Sequence, residues 1–344
     1  MAHQSLYRAH RPHAFKDVIG QEHITQPLAD QIASEKVGHA YLFAGSRGLG
    51  KTSIARIFAK ELGTSDRDLY EIDAASNNGV EYIRELTDNI YTLPFESKYK
   101  VFILDEAHML SKGAWNAFLK TLEEPPAHAL FILATTELEK VPETVQSRCQ
   151  VFEFKKPSRA VLSRHITNVA KEEGYSIEPA ASELLALLGD GSYRDALSVL
   201  ERTLASSSDK KLTLEEAERA TGAPKRTLVM ALVGALATGD TQAALGAIRD
   251  ASSASVDMQL YLTLVLEQLR AVLLVRHAPD IRADILAELG EDAGNEIQEL
   301  ASAADSKLTH RTLLAFLEAA SRIRYAPVPA LPLELAVLEL AGQD

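Results

Sequence analysis

Apolar residues follow two rhythms along this chain. Up to residue 154, short apolar-rich runs recur at 39–44, 69–73, 100–105, 129–135 and 150–154, the third apolar along its length. Runs of that length predict strands, and the unalternating Val101-Phe102-Ile103-Leu104 predicts one covered on both faces, as in a parallel sheet. Between them, apolar positions fall three and four apart. Ile24, Leu28 and Ile32 share one face of a predicted helix over 21–34. Further helices are predicted from Ser53, from Val80 and from Ser111 to Glu124, the last stopped by Pro125-Pro126. Strands alternating with helices predict a parallel α/β sheet of five strands. Residues 6–15 are too irregular to predict a regular element.

Past Lys155-Lys156-Pro157 the strand-like runs stop, and no further strand is predicted. Helical spacing marks 158–173, 179–188 and 192–204, and a short helix follows Thr213. From Pro224 the chain is rich in Ala and Leu, with breaks at Gly239-Asp240, Ala278-Pro279 and Ala326-Pro327. No fixed-period repeat stands out, which disfavours a solenoid. The predicted plan is an α/β domain over 1–157, a small helical domain over 158–223 and a larger helical domain over 224–344.

The turn after the first run is Gly45-Ser46-Arg47-Gly48-Leu49-Gly50-Lys51-Thr52. It fits the phosphate-loop pattern G-x-x-x-x-G-K-[ST], with a strand before it and a helix opening at Ser53. Backbone N–H groups of such a loop and the positive end of the new helix cradle phosphates. Lys51 would reach the β- and γ-phosphates, and Thr52 would ligate Mg²⁺. An ordinary glycine-rich turn is the plain alternative.

The third run ends in Asp105-Glu106-Ala107-His108. Asp105 suits the Mg²⁺ shell and Glu106 the orientation or deprotonation of water; a capping Asp beside a surface Glu is the plain alternative. The fourth run ends in Thr135-Thr136, whose hydroxyls could meet the γ-phosphate or the water, or could cap the strand. Arg148, in Ser147-Arg148-Cys149, could stabilise transition-state charge or be simply solvated. Arg194 opens a helix from which it could reach the γ-phosphate. Arg8 and Arg11 read equally as a solvated arm or as a wrap around a nucleotide base.

Composition trims the options. The chain has 344 residues, 46% hydrophobic and 24% charged, enough to bury a substantial core. Its single cysteine, Cys149, allows no intramolecular disulfide and no cysteine-rich metal site. Cys149 itself reads as a small apolar residue. The ten histidines show no zinc-ligand spacing. No signal peptide is read at the amino terminus, and no membrane span is predicted. A net charge of −12 argues against a broad nucleic-acid-coating face but leaves room for a local basic surface.

These motifs, in this order, resemble the AAA+ ATPases and, within them, the motor subunits of bacterial sliding-clamp loaders. The specific stretches include Tyr7-Arg8-x-x-Arg11-Pro12-x-x-Phe15, Val18-Ile19-Gly20-Gln21 and Glu71 to Val80. They continue with Asp105 to Ser111, Leu119-Lys120-Thr121-Leu122-Glu123-Glu124-Pro125-Pro126, Ala134 to Glu137 and Ser147-Arg148-Cys149, and end with Pro332-Leu333-Glu334-Leu335-Ala336.

The resemblance implies an AAA+ P-loop domain followed by a helical lid and an all-α collar. It implies ATP and Mg²⁺ as cofactors, with Arg8, Val18 and Ile19 at the adenine and Gly45, Ser46, Arg47, Gly48, Leu49, Gly50, Lys51, Thr52 and Ser53 at the phosphates. It makes Thr136, rather than Thr135, the first sensor and Arg194 the second. Arg148 becomes a finger entering a neighbouring subunit. Asn77, Asn78 and Arg84 would follow DNA, and Lys120 would couple DNA to Glu106.

The implied partners are other clamp-loader subunits (delta, delta-prime and further copies of itself), the sliding clamp and primer-template DNA, in the cytoplasm and without a membrane. Two rivals stay open: a non-hydrolysing delta-prime-like scaffold, and another AAA+ DNA motor such as a Holliday-junction helicase. One departure stands out. The four-cysteine zinc module of many relatives is replaced by the short stretch 61–68, so no zinc is expected. The chain also stops after the collar, short of the tail of longer relatives.

Overall fold

The computed structural model describes residues 4–342 apart from 208, 255 and 290. The five apolar runs become β1 (Ala40–Ala44), β2 (Leu69–Asp73), β3 (Lys100–Asp105), β4 (Ala129–Thr135) and β5 (Gln150–Glu153). They form one parallel sheet in the order β2-β3-β4-β1-β5. Every residue of the central strands β1 and β4 is buried, whereas the edge strand β5 is mostly exposed.

Strand alternation divides the core into two layers. Tyr41, Phe43, Val101, Ile103 and Ile132 pack against Ile24, Leu28, Ile54 and Phe58 on one face. Leu42, Phe102, Leu104, Phe131 and Leu133 pack against Ile83, Leu86, Trp115 and Phe118 on the other. Each large side chain so buried contributes about 1.5–3 kcal/mol of transfer free energy. Two parallel registers matter for function: Ala44 lies opposite Thr135, and Asp73 opposite Asp105. The ends of β1, β3 and β4 therefore share the carboxyl edge, where open α/β sheets bind ligands.

The described chain divides into two compact units. The first is the chain up to Ile166 together with Ala186–Glu201; the second is Thr167–Leu185 with the chain from Arg202 onward. Residues 186–201 thus belong with the sheet, inside the segment predicted as a small helical domain. In the first unit, residues 6–15 are more ordered than expected. Leu6–Ala9 is a short helix and Phe15–Asp17 a 3-10 turn. Tertiary contact, not periodicity, makes that helix: Leu6 is buried, and its N–H donates to the Glu201 carboxylate at 3.3 Å.

The second unit is helical, with one exception that the pattern did not predict. Ser176–Ile177 and Lys211–Leu212 pair as two-residue parallel strands, too short to leave an apolar rhythm. Its main core gathers Tyr261, Leu262, Val265, Leu269, Phe316 and Leu333. The helix Met258–His277 meets the length and composition of a membrane span. Glu267 and Arg270 interrupt it, and Met258, Tyr261, Leu262, Val265, Leu269, Val272 and Val275 are buried in this core, as in a core helix.

Candidate active site

The phosphate loop is built on backbone that only glycine adopts readily. Gly45, Gly48 and Gly50 have φ of +144°, +78° and +96°. At Gly48 space matters as well, because a Cβ there would stand 1.9 Å from Ser192 Oγ. The helix Lys51–Glu61 starts directly from Gly50. Gly45 N–H donates to Thr135 O at 3.2 Å, tying the loop to the end of β4. Leu49 anchors the loop in the core, while Arg47 is exposed.

Lys51 is 6% exposed, and its Nζ donates to the carbonyls of Gly45 and Ser46 at 2.6 and 2.9 Å. Burial pushes its pKa down, and the charges of Glu106 and Asp105 pull it back. Thr52 Oγ1 donates to Asp105 Oδ2 at 2.8 Å. Asp105 therefore meets the loop rather than only capping the following turn, although Oδ1 also accepts the Glu106 N–H at 3.0 Å. Glu106 has φ +49°, a left-handed backbone rare for a residue with a side chain. Its Oε2 accepts the Thr136 hydroxyl at 3.0 Å. Thr135 is fully buried and turned to His108, at 3.1 Å. The two adjacent threonines thus divide: Thr136 meets Glu106 and Thr135 does not.

Beside the loop lies a cavity of about 680 Å³. Its lining includes Arg8, Val18 and Ile19, Gly48 to Gly50, Thr52, Ser53, Asp105 and Arg194. Arg194 lies over the Tyr7 ring, 5.6 Å from its centroid. The turn before Arg194 is clasped to the loop, with Tyr193 N–H donating to Gly48 O at 3.1 Å and the Tyr193 hydroxyl to Ile19 O at 2.6 Å. Burial raises the Tyr193 phenol to about 12, so it remains a donor.

Sequence reasoning gave no role to Tyr193 or Ser192, although both lie in the stretch that carries Arg194. It left Arg11 open between a solvated arm and a wrap around the base. Arg11 Nε donates to Ser53 Oγ at 2.8 Å inside the same cavity. Burial, then the neighbouring charge of Arg56, lowers the Arg11 pKa, against the opposing pull of Glu71 and Asp105. The signal that could have found it was its place in the Arg8-x-x-Arg11-Pro12 stretch.

The remaining predicted residues lie off the cavity. Arg148 donates to Glu123 Oε1 at 2.7 Å and to Thr144 O at 2.6 Å. Cys149 is partly buried and its thiol is pushed up to about 12 by burial, which leaves it inert as a nucleophile. Asn77 Nδ2 donates to Asp73 O at 3.1 Å, and Asn78 O accepts the Ser111 N–H at 3.2 Å. Arg84 and Lys120 are exposed, on the mutually packed helices Val80–Ile90 and Lys112–Glu123.

A hydroxyl and a carboxylate in contact beneath a phosphate loop are hard oxygen donors of the kind Mg²⁺ takes alongside phosphate oxygens and water. Among the described residues no group of three or more His, Cys, Asp and Glu could hold a metal by itself.

A parallel sheet in this strand order, a phosphate loop after β1 and acidic and hydroxyl strand ends beside it define a AAA+ type P-loop protein. Solved structures agree at the level of fold: the Thermotoga maritima RuvB Holliday junction branch migration motor superposes with a TM-score of 0.54 at 21% identity, covering 74% of this chain and 90% of that one. Sequence narrows the class. Family models match for DNA polymerase III, delta subunit, at 63–158, for the clamp loader subunit ATPase lid domain at 161–209, and for DNA polymerase III subunits gamma and tau domain III at 212–344.

The chain is 36% identical to DNA polymerase III subunit tau of Bacillus subtilis, over 99% of this chain and 63% of that protein. It is 34% identical to subunit tau of Escherichia coli, over 98% and 55%. It is also 34% identical to DNA polymerase III subunit gamma of Buchnera aphidicola, over 91% of this chain and 92% of that protein. The chain belongs to the DNA polymerase III gamma/tau family. It spans about 63% of the Bacillus subtilis relative's length.

Proposed function

We propose that this chain is an ATP-hydrolysing motor subunit of a bacterial replicative clamp loader, working in the cytoplasm as part of a DNA polymerase III assembly. The observation that carries the reading is a pair of bonds at one sheet edge: the loop's Thr52 with Asp105 from β3, and Thr136 from the end of β4 with Glu106. A delta-prime-like scaffold would not need both pairs. RuvB likeness extends to fold alone.

The nucleotide base would lie against Arg8, Val18 and Ile19, and the phosphates against the N–H groups of the loop and of Lys51 to Ser53. Lys51 would exchange its two loop carbonyls for the β- and γ-phosphates, regaining a charged partner in a site where burial disfavours its own charge. Thr52 and Asp105 would hold Mg²⁺, which supplies charge neutralisation between the β- and γ-phosphates. Glu106 orients the attacking water and takes its proton, with Thr136 fixing one carboxylate oxygen and leaving the other free. Arg194 would sense the γ-phosphate from within its own unit. Arg148, off the cavity of its own subunit, would complete a neighbour's site.

The division 1–157, 158–223 and 224–344 serves this reading as nucleotide domain, lid and collar. The collar would join the chain to delta, delta-prime and further copies of itself. Asn77, Asn78, Arg84 and Lys120 would face the primer-template backbone, and the ring would open the sliding clamp on binding ATP. The test is reconstitution with candidate delta, delta-prime and clamp, measuring ATP-dependent loading on primed DNA. Loading that Lys51→Ala abolishes is expected; full loading with every motor subunit so substituted would overturn the reading. The isolated chain is expected to turn over ATP poorly, because Arg148 acts in trans.

A further inference from the structure

His108 does not line the nucleotide cavity, yet its side chain is only 6% exposed and both ring nitrogens are engaged. Nε2 lies 3.2 Å from Glu137 Oε1. Nδ1 lies 3.1 Å from Thr135 Oγ1 and 3.5 Å from Glu106 Oε2. Glu137 is held below the ordinary carboxylate range, chiefly by its hydrogen bond from Lys140, so it stays a carboxylate facing Nε2. Thr135 Oγ1 also accepts the Glu137 N–H at 3.0 Å. The result is a closed ring of polar contacts through Glu137, His108 and Thr135. Glu106 Oε2, 3.5 Å from Nδ1, takes its hydrogen bond from the Thr136 hydroxyl.

The backbone gives this ring a purpose. Glu106 is left-handed, at φ +49°, and the turn Ala107–Met109 follows at once. A side-chain-bearing residue keeps such a conformation only where its surroundings over-determine it. His108, inside that turn, is bolted to the residues that end β4. We propose that His108, oriented by Glu137 and Thr135, is a positioning residue for Glu106: it pins the 106–109 turn to the end of β4 and so holds the Glu106 carboxylate on Thr136. The inference rests on Glu106 being the group that acts on the attacking water.

The test uses the reconstituted assembly with variant motor subunits, measuring steady-state ATP turnover and, separately, affinity for a fluorescent ATP analogue. His108→Ala is expected to lower kcat by about ten- to a hundredfold while leaving KM and affinity within about twofold, the pattern of a misplaced catalytic group. Retained affinity is also the check on folding. His108→Asn puts an amide oxygen near the Nδ1 position and is expected to recover most of the loss. His108→Gln places its amide toward Glu137, leaves Thr135 unpaired, and is expected to recover less. In a Glu106→Gln background, His108→Ala should add no further loss.

Wild-type kcat in His108→Ala, equal recovery by Asn and Gln, or a fully additive double variant would each overturn the proposal. Should His108→Ala not fold, the Asn and Gln pair decides alone. Wild-type turnover by Glu106→Gln would instead overturn the role of Glu106, so the two failures are distinguishable.

Discussion

In the sheet unit the polar side chains that matter sit at strand ends and bond across the chain, Thr52 to Asp105 and Thr136 to Glu106. In the helical unit long-range bonds also occur, such as Arg276 to the carbonyls of Leu300, Ala301 and Leu308, but the bonds that start its helices are local. Asp257 accepts the N–H groups of Gln259 and Leu260, Asp240 accepts that of Ala243, and Thr213 and Glu216 form a reciprocal cap. The first unit spends strained backbone on its site, with glycines and Glu106 at positive φ around the loop. The second relies on apolar burial and capped helices. A site needs groups from distant parts of the sequence held at fixed angles; a scaffold needs only that each helix bury one stripe.

Substitutions should separate the units accordingly. The largest effect is expected at Glu106. In the reconstituted assembly, Glu106→Gln should lower ATP turnover by about 10²–10⁴-fold with nucleotide affinity retained, because only proton transfer is lost. Phe316→Ala, fully buried in the helical core, should destabilise that unit by about 3–5 kcal/mol in a denaturant titration. ATP affinity of the folded chain should not change with it; a shared loss would break the division between units.

At Gly48 the comparison sharpens. Gly48→Ala forces a Cβ into Ser192 and keeps a left-handed backbone, so it should cost about 1–3 kcal/mol and weaken ATP binding. Adding Ser192→Gly should return only the part due to contact. Smallest of these stability effects, Asp257→Ala should cost about 1 kcal/mol, read as a shift in the melting curve with ATP affinity intact.

Acid stability offers a separate readout of the sheet unit. Asp68 is buried, which alone would raise its pKa, but N–H groups of Phe95, Glu96 and Ser97 bond its carboxylate and bring it well below the usual range. A depressed folded-state pKa gives stability that is present above the unfolded value near 4 and is lost as pH falls through the folded one. Asp68→Asn should therefore flatten the acid limb of an unfolding profile below about pH 4, while the neutral region carries the cost of a poorer acceptor.

Much of this was legible in the order of residues. Five strands, the helices between them and the phosphate loop follow from apolar runs and from G-x-x-x-x-G-K-[ST], since periodicity reports which faces are buried. Glu106 was named because it follows an apolar run, but nothing local said that Thr136, and not Thr135, would meet it. The parity of side chains at the end of β4 decides that, one residue turning toward His108 and the next toward Glu106. The clasp of Tyr193 on Gly48 and the helix at Leu6 were hidden for a related reason: their partners lie 145 and 195 positions away.

The sequence by itself determined the elements, their alternation and the chemical types available at the strand ends. Tertiary structure alone decided which of those groups touch. Strand order brings Ala44 beside Thr135, and Asp105 into reach of Thr52. It also places His108 between Glu137 and Thr135, because parallel pairing joins residues that no local pattern relates.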